Sequence, residues 1–111
     1  MADSVKQLKV KAGVVKRFVK DYNYYTKEVA REEERIAKLS SDPEQEDFEY
    51  KLKKANEVLQ ESRSMIGDTS RRLLTATDDL KNVITEGAFA EDLPELVDAR
   101  AQLDAAEKIP A

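Results

Sequence analysis

The stretch LQESRSMIGDTSRRL, residues 59–73, decides the fold that this sequence predicts, because it lies in the middle of the longest helical segment. Leu59, Ile66 and Leu73 recur at intervals of seven, and small residues occupy a second row of the same seam. Apolar positions at alternating spacings of three and four are typical of a coiled coil. The stretch also contains Gly67 and an arginine pair, so it combines a core seam with candidate functional residues.

The composition excludes several classes of functional site. The chain has 111 residues, 38% of them charged, with three Gly, three Pro, no Cys and no His. This profile is typical of long helices, and it removes disulfides, thiolate nucleophiles, zinc-finger-type sites and the usual neutral-pH general base. EF-hand and phosphate-loop spacings are absent from the sequence. Asp and Glu could still bind a metal, but no such motif is present, so we predict no catalytic residue, no metal site and a protein that is not an enzyme.

Charge and hydropathy also limit the partners. No apolar run approaches the ~20 residues that span a bilayer, and the N-terminus lacks the apolar core of a signal peptide. A formal charge of −4 argues against nucleic acid as the main ligand. We expect a cytoplasmic protein with no membrane or nucleic-acid partner, folded as a single domain over residues 1–111.

Two long helices account for most of the chain. Helix 1 is predicted over about 4–40, with Asp3 and Ser4 as candidate N-caps. Helix 2 is predicted over about 43–86, because Pro43 is well suited to the first helical position. So short a connection forces the two helices into an antiparallel hairpin.

A shorter third helix completes the predicted fold. Gly87 is a natural C-terminal stop for helix 2. Helix 3 is predicted over about 92–108, with Asp92 as its cap and Pro94 in its first turn. The fold class is therefore all-α: a three-helix bundle in which a long antiparallel coiled-coil hairpin is joined by a helix less than half its length.

Two heptad rows on each long helix predict the core. On helix 1 the rows are Val5, Ala12, Val19, Thr26 and Glu33, and Leu8, Val15, Tyr22, Val29 and Ile36. On helix 2 the large row is Leu52, Leu59, Ile66, Leu73 and Leu80, and the mostly small row is Ala55, Ser62, Thr69, Ala76 and Val83. Small residues let a partner helix approach toward the ~8 Å end of the usual interaxial range.

The length of helix 3 limits what it covers. Folded back along helix 2, helix 3 is expected to reach the level of Val14 and Phe18 and to end near there. Three tyrosines at 22, 24 and 25, and Met65 on the facing helix, are then not fully covered. Two interpretations follow for the tyrosines: they expose only their hydroxyls, or they form an aromatic and methionine patch of the kind that binds proteins.

The charges are unevenly distributed. Between residues 5 and 20 there are six cations and no acid, whereas residues 78–111 carry nine acids and three cations. Cations near a helix N-terminus oppose its dipole, so another charge should offset them. The candidates are the acidic helix 3, an acidic protein partner and, more weakly, a membrane surface. Arg71 and Arg72 are open to the same alternatives, since such pairs are usually solvated or bridged to an acid.

Two stretches carry a family resemblance. KVKAGVVKRFVKD, residues 9–21, and LQESRSMIGDTSRRL, residues 59–73, resemble the two signature stretches of the tubulin-specific chaperone A family, also called tubulin-binding cofactor A. The likeness is strongest at Gly13-Val14-Val15-Lys16-Arg17 and at Leu59-Gln60-Glu61-Ser62-Arg63, and it extends over nearly the whole chain. Relatives commonly carry proline where this chain has Gly67; proline would kink the helix, whereas glycine only permits a bend.

The resemblance implies a function. Members of this family capture β-tubulin folding intermediates after release from the cytosolic chaperonin and keep them available to other tubulin cofactors for αβ-heterodimer assembly. The resemblance also implies ATP-independent, non-enzymatic action at the microtubule cytoskeleton, with no cofactor and with contact made by the helical faces.

The residues expected to contact β-tubulin combine aromatic, methionine and arginine side chains, the types enriched in binding hot spots. They are Arg17, Phe18, Tyr22, Tyr24, Tyr25, Arg63, Met65 and Arg71. The alternative is a coiled-coil structural scaffold that acts through self-association, with a second copy in the open groove. The oligomeric state, monomer or homodimer, stays open at this point.

Overall fold

Three α-helices make up most of the chain that the structure describes. A computed structural model describes residues 2–110 and places α1 at Ala2–Ser40, α2 at Phe48–Gly87 and α3 at Pro94–Glu107. No strand occurs within that described range. The predicted all-α class, with two long helices and a shorter third, is confirmed.

The connection between α1 and α2 is longer than predicted. Residues 41–47 form turns, so α2 begins at Phe48 and not at Pro43. Asp47 adopts the left-handed backbone region, with a φ of 58°. A residue in that region cannot continue a right-handed helix, so the helix cannot start before it.

A glutamine side chain closes this turn. Gln45 donates from Nε2 to the carbonyl oxygen of Asp42 at 2.9 Å and to that of Leu39 at 3.4 Å. Both carbonyls also accept a backbone N–H, from Gln45 at Asp42 and from Asp42 at Leu39, so the side-chain bonds reinforce a hydrogen-bonded turn. Asp42 and Pro43 therefore belong to a turn that the Gln45 side chain stabilises, and not to the start of α2.

The starts of α1 and α3 also differ from prediction by about two residues. Because α1 starts at Ala2, ahead of both predicted caps, Asp3 lies in its first turn. The residue at the cap position of α3 is Leu93, which makes no side-chain cap bond, so Asp92 does not cap this helix. Pro94 occupies the first helical position, where a missing N–H matters least.

The end of α2 does not use glycine as a left-handed stop. Gly87 is the last helical residue, and the positive φ, 48°, belongs to Ala88. A Cβ atom at Gly87 would overlap the ring of Phe89, which packs against the core. Glycine is needed here for close approach of an aromatic ring and not for its backbone freedom.

One compact unit contains residues 2–21 and 69–110, and all three helices contribute to it. Leu8, Val15, Leu80 and Leu96 are its largest fully buried side chains. Burial of a leucine or valine side chain stabilises by about 1.5–3 kcal/mol relative to exposure. Among the described residues, the buried apolar cluster is Leu8, Ala12, Val15, Leu73, Ala76, Leu80, Leu96, Ala99 and Ala106.

The other compact unit is residues 22–68, where only α1 and α2 contribute helices. Its buried side chains among the described residues are Ala55, Leu59 and Ser62. The larger seam residues are half-buried, namely Tyr22, Val29, Ile36, Leu52 and Ile66. A pair of helices surrounds each seam residue less completely than three helices do.

The predicted small row on α2 is buried from Ala55 to Ala76, as expected where helices approach closely. Two predicted seam positions on α1, Thr26 and Glu33, are exposed and do not belong to the core. Ile66 on α2, also predicted in the seam, is only half-buried and lies outside the buried core. α2 is helical without interruption through Gly67, which is half-buried.

The prediction that residues 1–111 form a single domain remains a prediction. None of the helices in the described chain is both long and apolar enough to cross a membrane.

Candidate functional site

The eight predicted contact residues fall into both compact units. Arg17, Phe18 and Arg71 belong to the three-helix unit. The remaining five belong to the two-helix unit, and they are Tyr22, Tyr24, Tyr25, Arg63 and Met65. The role of these eight residues in binding stays a prediction.

Arg17 and Phe18 form one arrangement on α1. The Cζ atom of Arg17 lies 4.8 Å from the centroid of the Phe18 ring, which is a cation–π distance. Phe18 is half-buried and packs against the core to which α3 contributes, as does Val14. Phe18 therefore contributes to core packing, whereas the exposed Arg17 side chain covers its ring at the surface. That helix 3 itself covers Val14 and Phe18 stays a prediction.

The three tyrosines differ in exposure. Tyr24 is 56% exposed, whereas Tyr22 and Tyr25 are half-buried. The rings of Tyr24 and Tyr25 meet edge to face, with centroids 5.3 Å apart and an interplanar angle of 77°. This geometry favours the pair and presents the Tyr24 ring to solvent. Of the two interpretations drawn from the sequence, Tyr24 fits the patch and its neighbours fit partial coverage.

Arg63 and Met65 lie on α2 in the same unit as the tyrosines. Arg63 is exposed, and its Nη2 atom lies 3.4 Å from Oε1 of Glu33 on α1. Exposed ion pairs of this kind contribute only about 0–1 kcal/mol, so Arg63 remains available to exchange this acid for another. Met65 is half-buried. A flexible thioether at a partly open position can adapt to an apolar partner.

Arg71 lines a cavity of about 290 Å³ formed between α2 and the C-terminal end of α3. The walls are mainly apolar and include Leu73, Leu74, Leu103 and Ile109. Lys81 is a second cation at this cavity, and Glu107 is an acid. An apolar lining with a few charged side chains is typical of ligand pockets in proteins.

The charges of the N-terminal basic stretch are offset in part by both other helices. Lys11 Nζ lies 3.8 Å from Asp79 Oδ2 on α2. Lys9 lines a small cavity of about 200 Å³ together with Glu95 and Asp98 of α3. Helix 3, the predicted source of neutralisation, therefore brings acids close to Lys9, while an acid of α2 pairs with Lys11.

One ion pair shifts the pKa values of its members. Arg100 forms two hydrogen bonds to Glu91, one of them from Nη2 to Oε1 at 3.3 Å. These bonds and the charge of Arg100 hold the pKa of Glu91 below its ordinary value, and Glu91 correspondingly raises the pKa of Arg100. The pair ties the loop before α3 to that helix, which is a structural role. Within residues 2–110, no group of three or more Asp or Glu side chains could hold a metal ion.

Sequence reasoning missed several exposed apolar side chains. Tyr50 is 62% exposed and Leu74 is 65% exposed, and Val10 and Val97 are exposed to a similar degree. All four lie outside the predicted heptad rows of the two long helices. A search for large apolar residues outside the seam would have selected them as candidates, but their exposure is known only from the structure.

Comparison with known proteins identifies the family. The sequence model of the family described as Tubulin binding cofactor A matches residues 3–103. Tubulin-specific chaperone A of Rattus norvegicus is 45% identical over 106 residues, covering 94% of each chain. The crystal structure of tubulin folding cofactor A from Arabidopsis thaliana superposes with a TM-score of 0.85 at 34% identity, covering 98% of this chain and 100% of that one. The human tubulin chaperone cofactor A structure superposes with a TM-score of 0.76 at 41% identity, covering 94% of this chain and 98% of that one. Sequence and fold agree over nearly the full length, and the chain belongs to the tubulin binding cofactor A family.

Proposed function

We propose that this protein binds β-tubulin folding intermediates after their release from the cytosolic chaperonin, keeps them soluble and supports assembly of the αβ-tubulin heterodimer. The observation that carries the proposal is the family match over residues 3–103. It is supported by relatives named for tubulin that align with nearly the whole chain.

The proposed mechanism is binding by a surface that is already ordered. Helical residues that are fixed before binding lose little further conformational entropy, so more of the contact energy appears as affinity. Tyr24 is exposed and braced by Tyr25, which makes it the aromatic residue best placed to contact a client. Binding of this kind needs neither ATP nor a catalytic residue, and we propose that the protein uses neither.

Arginines supply the polar part of the proposed contact. Arg17, Arg63 and Arg71 are all exposed, and arginine is enriched at binding hot spots. Their positive charges favour an acidic client and raise its rate of association. Because exposed charge pairs are weak and screened by salt, the bound client can be handed over to other tubulin cofactors. We propose that this exchange takes place in the cytoplasm, with the protein acting in association with the microtubule cytoskeleton.

Co-purification with β-tubulin tests the proposal. We expect the wild-type protein to recover β-tubulin from cytosol, and the charge reversals Arg17→Glu and Arg71→Glu to weaken recovery by about tenfold. Lys53→Glu, a reversal at an exposed α2 cation outside the predicted site, serves as the control and should recover β-tubulin normally. Normal recovery by both arginine variants would contradict the assigned residues.

Aromatic substitutions separate contact from folding. Tyr24→Ala should reduce recovery of β-tubulin and leave the helical melting curve unchanged, because its ring is exposed. Phe18→Ala should lower the melting temperature, since Phe18 packs against the core. The difference between these two variants defines how far the binding surface extends.

Self-association is the competing function. Sedimentation of the purified protein, combined with recovery from cytosol, distinguishes the two. A dimer that recovers no tubulin would overturn the proposal in favour of a structural scaffold. A monomer or homodimer that recovers β-tubulin supports it.

A further inference from the structure

The first half of α1 presents an exposed basic face. Positions 6, 9, 10, 13, 16, 17 and 20 follow the three-and-four spacing of one helix face, and each of these residues is exposed. Five of them are cations: Lys6, Lys9, Lys16, Arg17 and Lys20. The opposite face carries Leu8, Ala12 and Val15 into the core. The basic face is therefore held rigidly and directed to solvent.

Gly13 lies at the centre of this basic face and has no intramolecular reason to be glycine. It lies within α1, where glycine is less favourable than alanine. Its φ is not positive, so no left-handed backbone requires it. A Cβ atom placed on it would meet nothing within 4 Å. Neither crowding nor conformation within the described chain accounts for this residue. Gly87 differs, because there the Phe89 ring excludes a side chain.

The residues around Gly13 define what could approach it. Val10, one turn earlier, is 55% exposed and offers an apolar contact. Across the part of the chain that the structure describes, the five cations form no ion pair with a carboxylate, although Lys9 lies at a cavity shared with Glu95 and Asp98. Arg17 makes a cation–π contact with Phe18. Positive side chains on both sides of Gly13, along one helix face, are electrostatically complementary to a negatively charged chain.

We propose that the basic face of α1 docks an acidic segment of the client protein, with the backbone of that segment crossing α1 at Gly13. Absence of a side chain at Gly13 allows the closest approach of another backbone. Val10 packs against an apolar residue of the segment, and the surrounding Lys and Arg side chains pair with its acids. This assignment deepens the proposed function and rests on it for the identity of the client.

A glycine substitution tests the docking geometry without unfolding the protein. Gly13→Leu should raise the melting temperature by about 4 °C, because leucine is the better helix former and the site has room for it. The same variant should bind β-tubulin at least about tenfold more weakly, since the side chain blocks the approach. Ala37→Leu adds bulk at another exposed position of α1 and should bind as wild type. Normal binding by Gly13→Leu would overturn the proposal and leave the proposed function standing.

Charge reversals test the chemistry of the segment. Lys6→Glu and Lys20→Glu should each weaken binding severalfold and flatten its dependence on salt concentration. Lys53→Glu on α2 is the matched control and should do neither. If Gly13→Leu weakens binding while the reversals have no effect, the segment is not acidic and the proposal is wrong.

A second probe keeps the inference separate from the tubulin assignment. Poly-L-glutamate titrated into wild-type protein should shift the backbone amide resonances of residues 6–20, and Lys6→Glu/Lys20→Glu should abolish those shifts. If the wild-type protein fails to bind β-tubulin, the proposed function is wrong. Resonance shifts with poly-L-glutamate would still support docking of an acidic segment on the basic face, and the absence of such shifts would overturn that docking proposal. Self-association that Gly13→Leu abolishes in sedimentation would assign the basic face to a second copy and overturn the proposal.

Discussion

The two compact units are made from the same two long helices but differ in how completely they bury their seam. In the unit of residues 2–21 and 69–110, leucines on all three helices are buried: Leu8, Leu73, Leu80 and Leu96. In the unit of residues 22–68, Leu59 is the one large apolar side chain among the described residues that reaches the same state. Leu52 and Ile66 occupy equivalent heptad positions there and remain half-buried.

The difference shows that a heptad sets which side chains face inward but not how far they are buried. Burial depends on the number of helices that surround a seam position, since each added helix covers a further side of it. Small residues compensate in part: Ala55 and Ser62 are buried in the two-helix unit because they require little covering. The two units should therefore differ in stability, in tolerance of added atoms and in sensitivity to their closing loops.

The largest expected effect is loss of a buried leucine from the three-helix unit. Leu80→Ala should reduce the free energy of unfolding by about 2–5 kcal/mol, since Leu80 is fully buried and its loss leaves a cavity. Leu52→Ala, at a half-buried position of the two-helix unit, should reduce it by less than about 2 kcal/mol. Urea unfolding followed by circular dichroism measures both. Equal losses would contradict the difference in burial between the units.

A second prediction concerns an added atom in the three-helix unit. Gly87→Ala should destabilise the protein by about 1–3 kcal/mol, because the new Cβ overlaps the ring of Phe89. Gly13→Ala should stabilise it by up to ~1 kcal/mol, since nothing lies near that position. Thermal unfolding of the two variants should give shifts of opposite sign. A gain at both positions would mean that the Phe89 ring moves aside without loss.

A smaller effect is expected at the loop that closes the two-helix unit. Gln45→Ala removes the hydrogen bonds to the carbonyls of Asp42 and Leu39 and should cost about 0.5–1.5 kcal/mol. Amide hydrogen exchange should accelerate near residues 39–48 and stay unchanged around Leu80. Uniform acceleration throughout the chain would show that the two regions unfold together.

The smallest effect is expected from the exposed pair of Glu91 and Arg100. The pKa of Glu91 is lowered in the folded protein, so folding gains stability from the pair above the ordinary glutamate value of 4.5. That gain is lost as the pH falls through the lowered pKa. Glu91→Gln should lower the melting temperature slightly at pH 7 and less at pH 3, with both differences reduced by salt. A larger difference at pH 3 would contradict this assignment.

Helix number, order and seam could be read from the sequence because they depend on long periodic patterns. The helix boundaries could not be read as well, because they depend on single contacts. Asp42-Pro43 has the residues of a helix start, but the left-handed backbone of Asp47 delays α2 to Phe48. Gly87 looks like a stop and instead makes room for Phe89. Neither feature can be recognised from the periodic pattern of apolar residues.

The candidate site was only partly predictable for a similar reason. Reasoning about the length of α3 led to Phe18 and the tyrosines, and the structure separates them by exposure: Tyr24 is exposed and Phe18 packs against the core. The exposure of Val10 and the empty surroundings of Gly13 could not be deduced from the pattern, because a heptad describes only the inner face. Residues outside the seam require the packed structure before their role can be judged.

The contact between Gly87 and Phe89 restricts the order in which these two positions can change during evolution. While Phe89 keeps its ring against the core, a Cβ atom at position 87 overlaps that ring, so a substitution there forces the ring to shift. Replacement of Phe89 by a smaller residue removes the overlap, but it carries its own loss of packing before any gain in helix propensity at position 87 can follow. The two sites should therefore show strong epistasis: in a double-mutant cycle, Gly87→Ala should be harmful beside Phe89 and nearly neutral beside alanine at position 89.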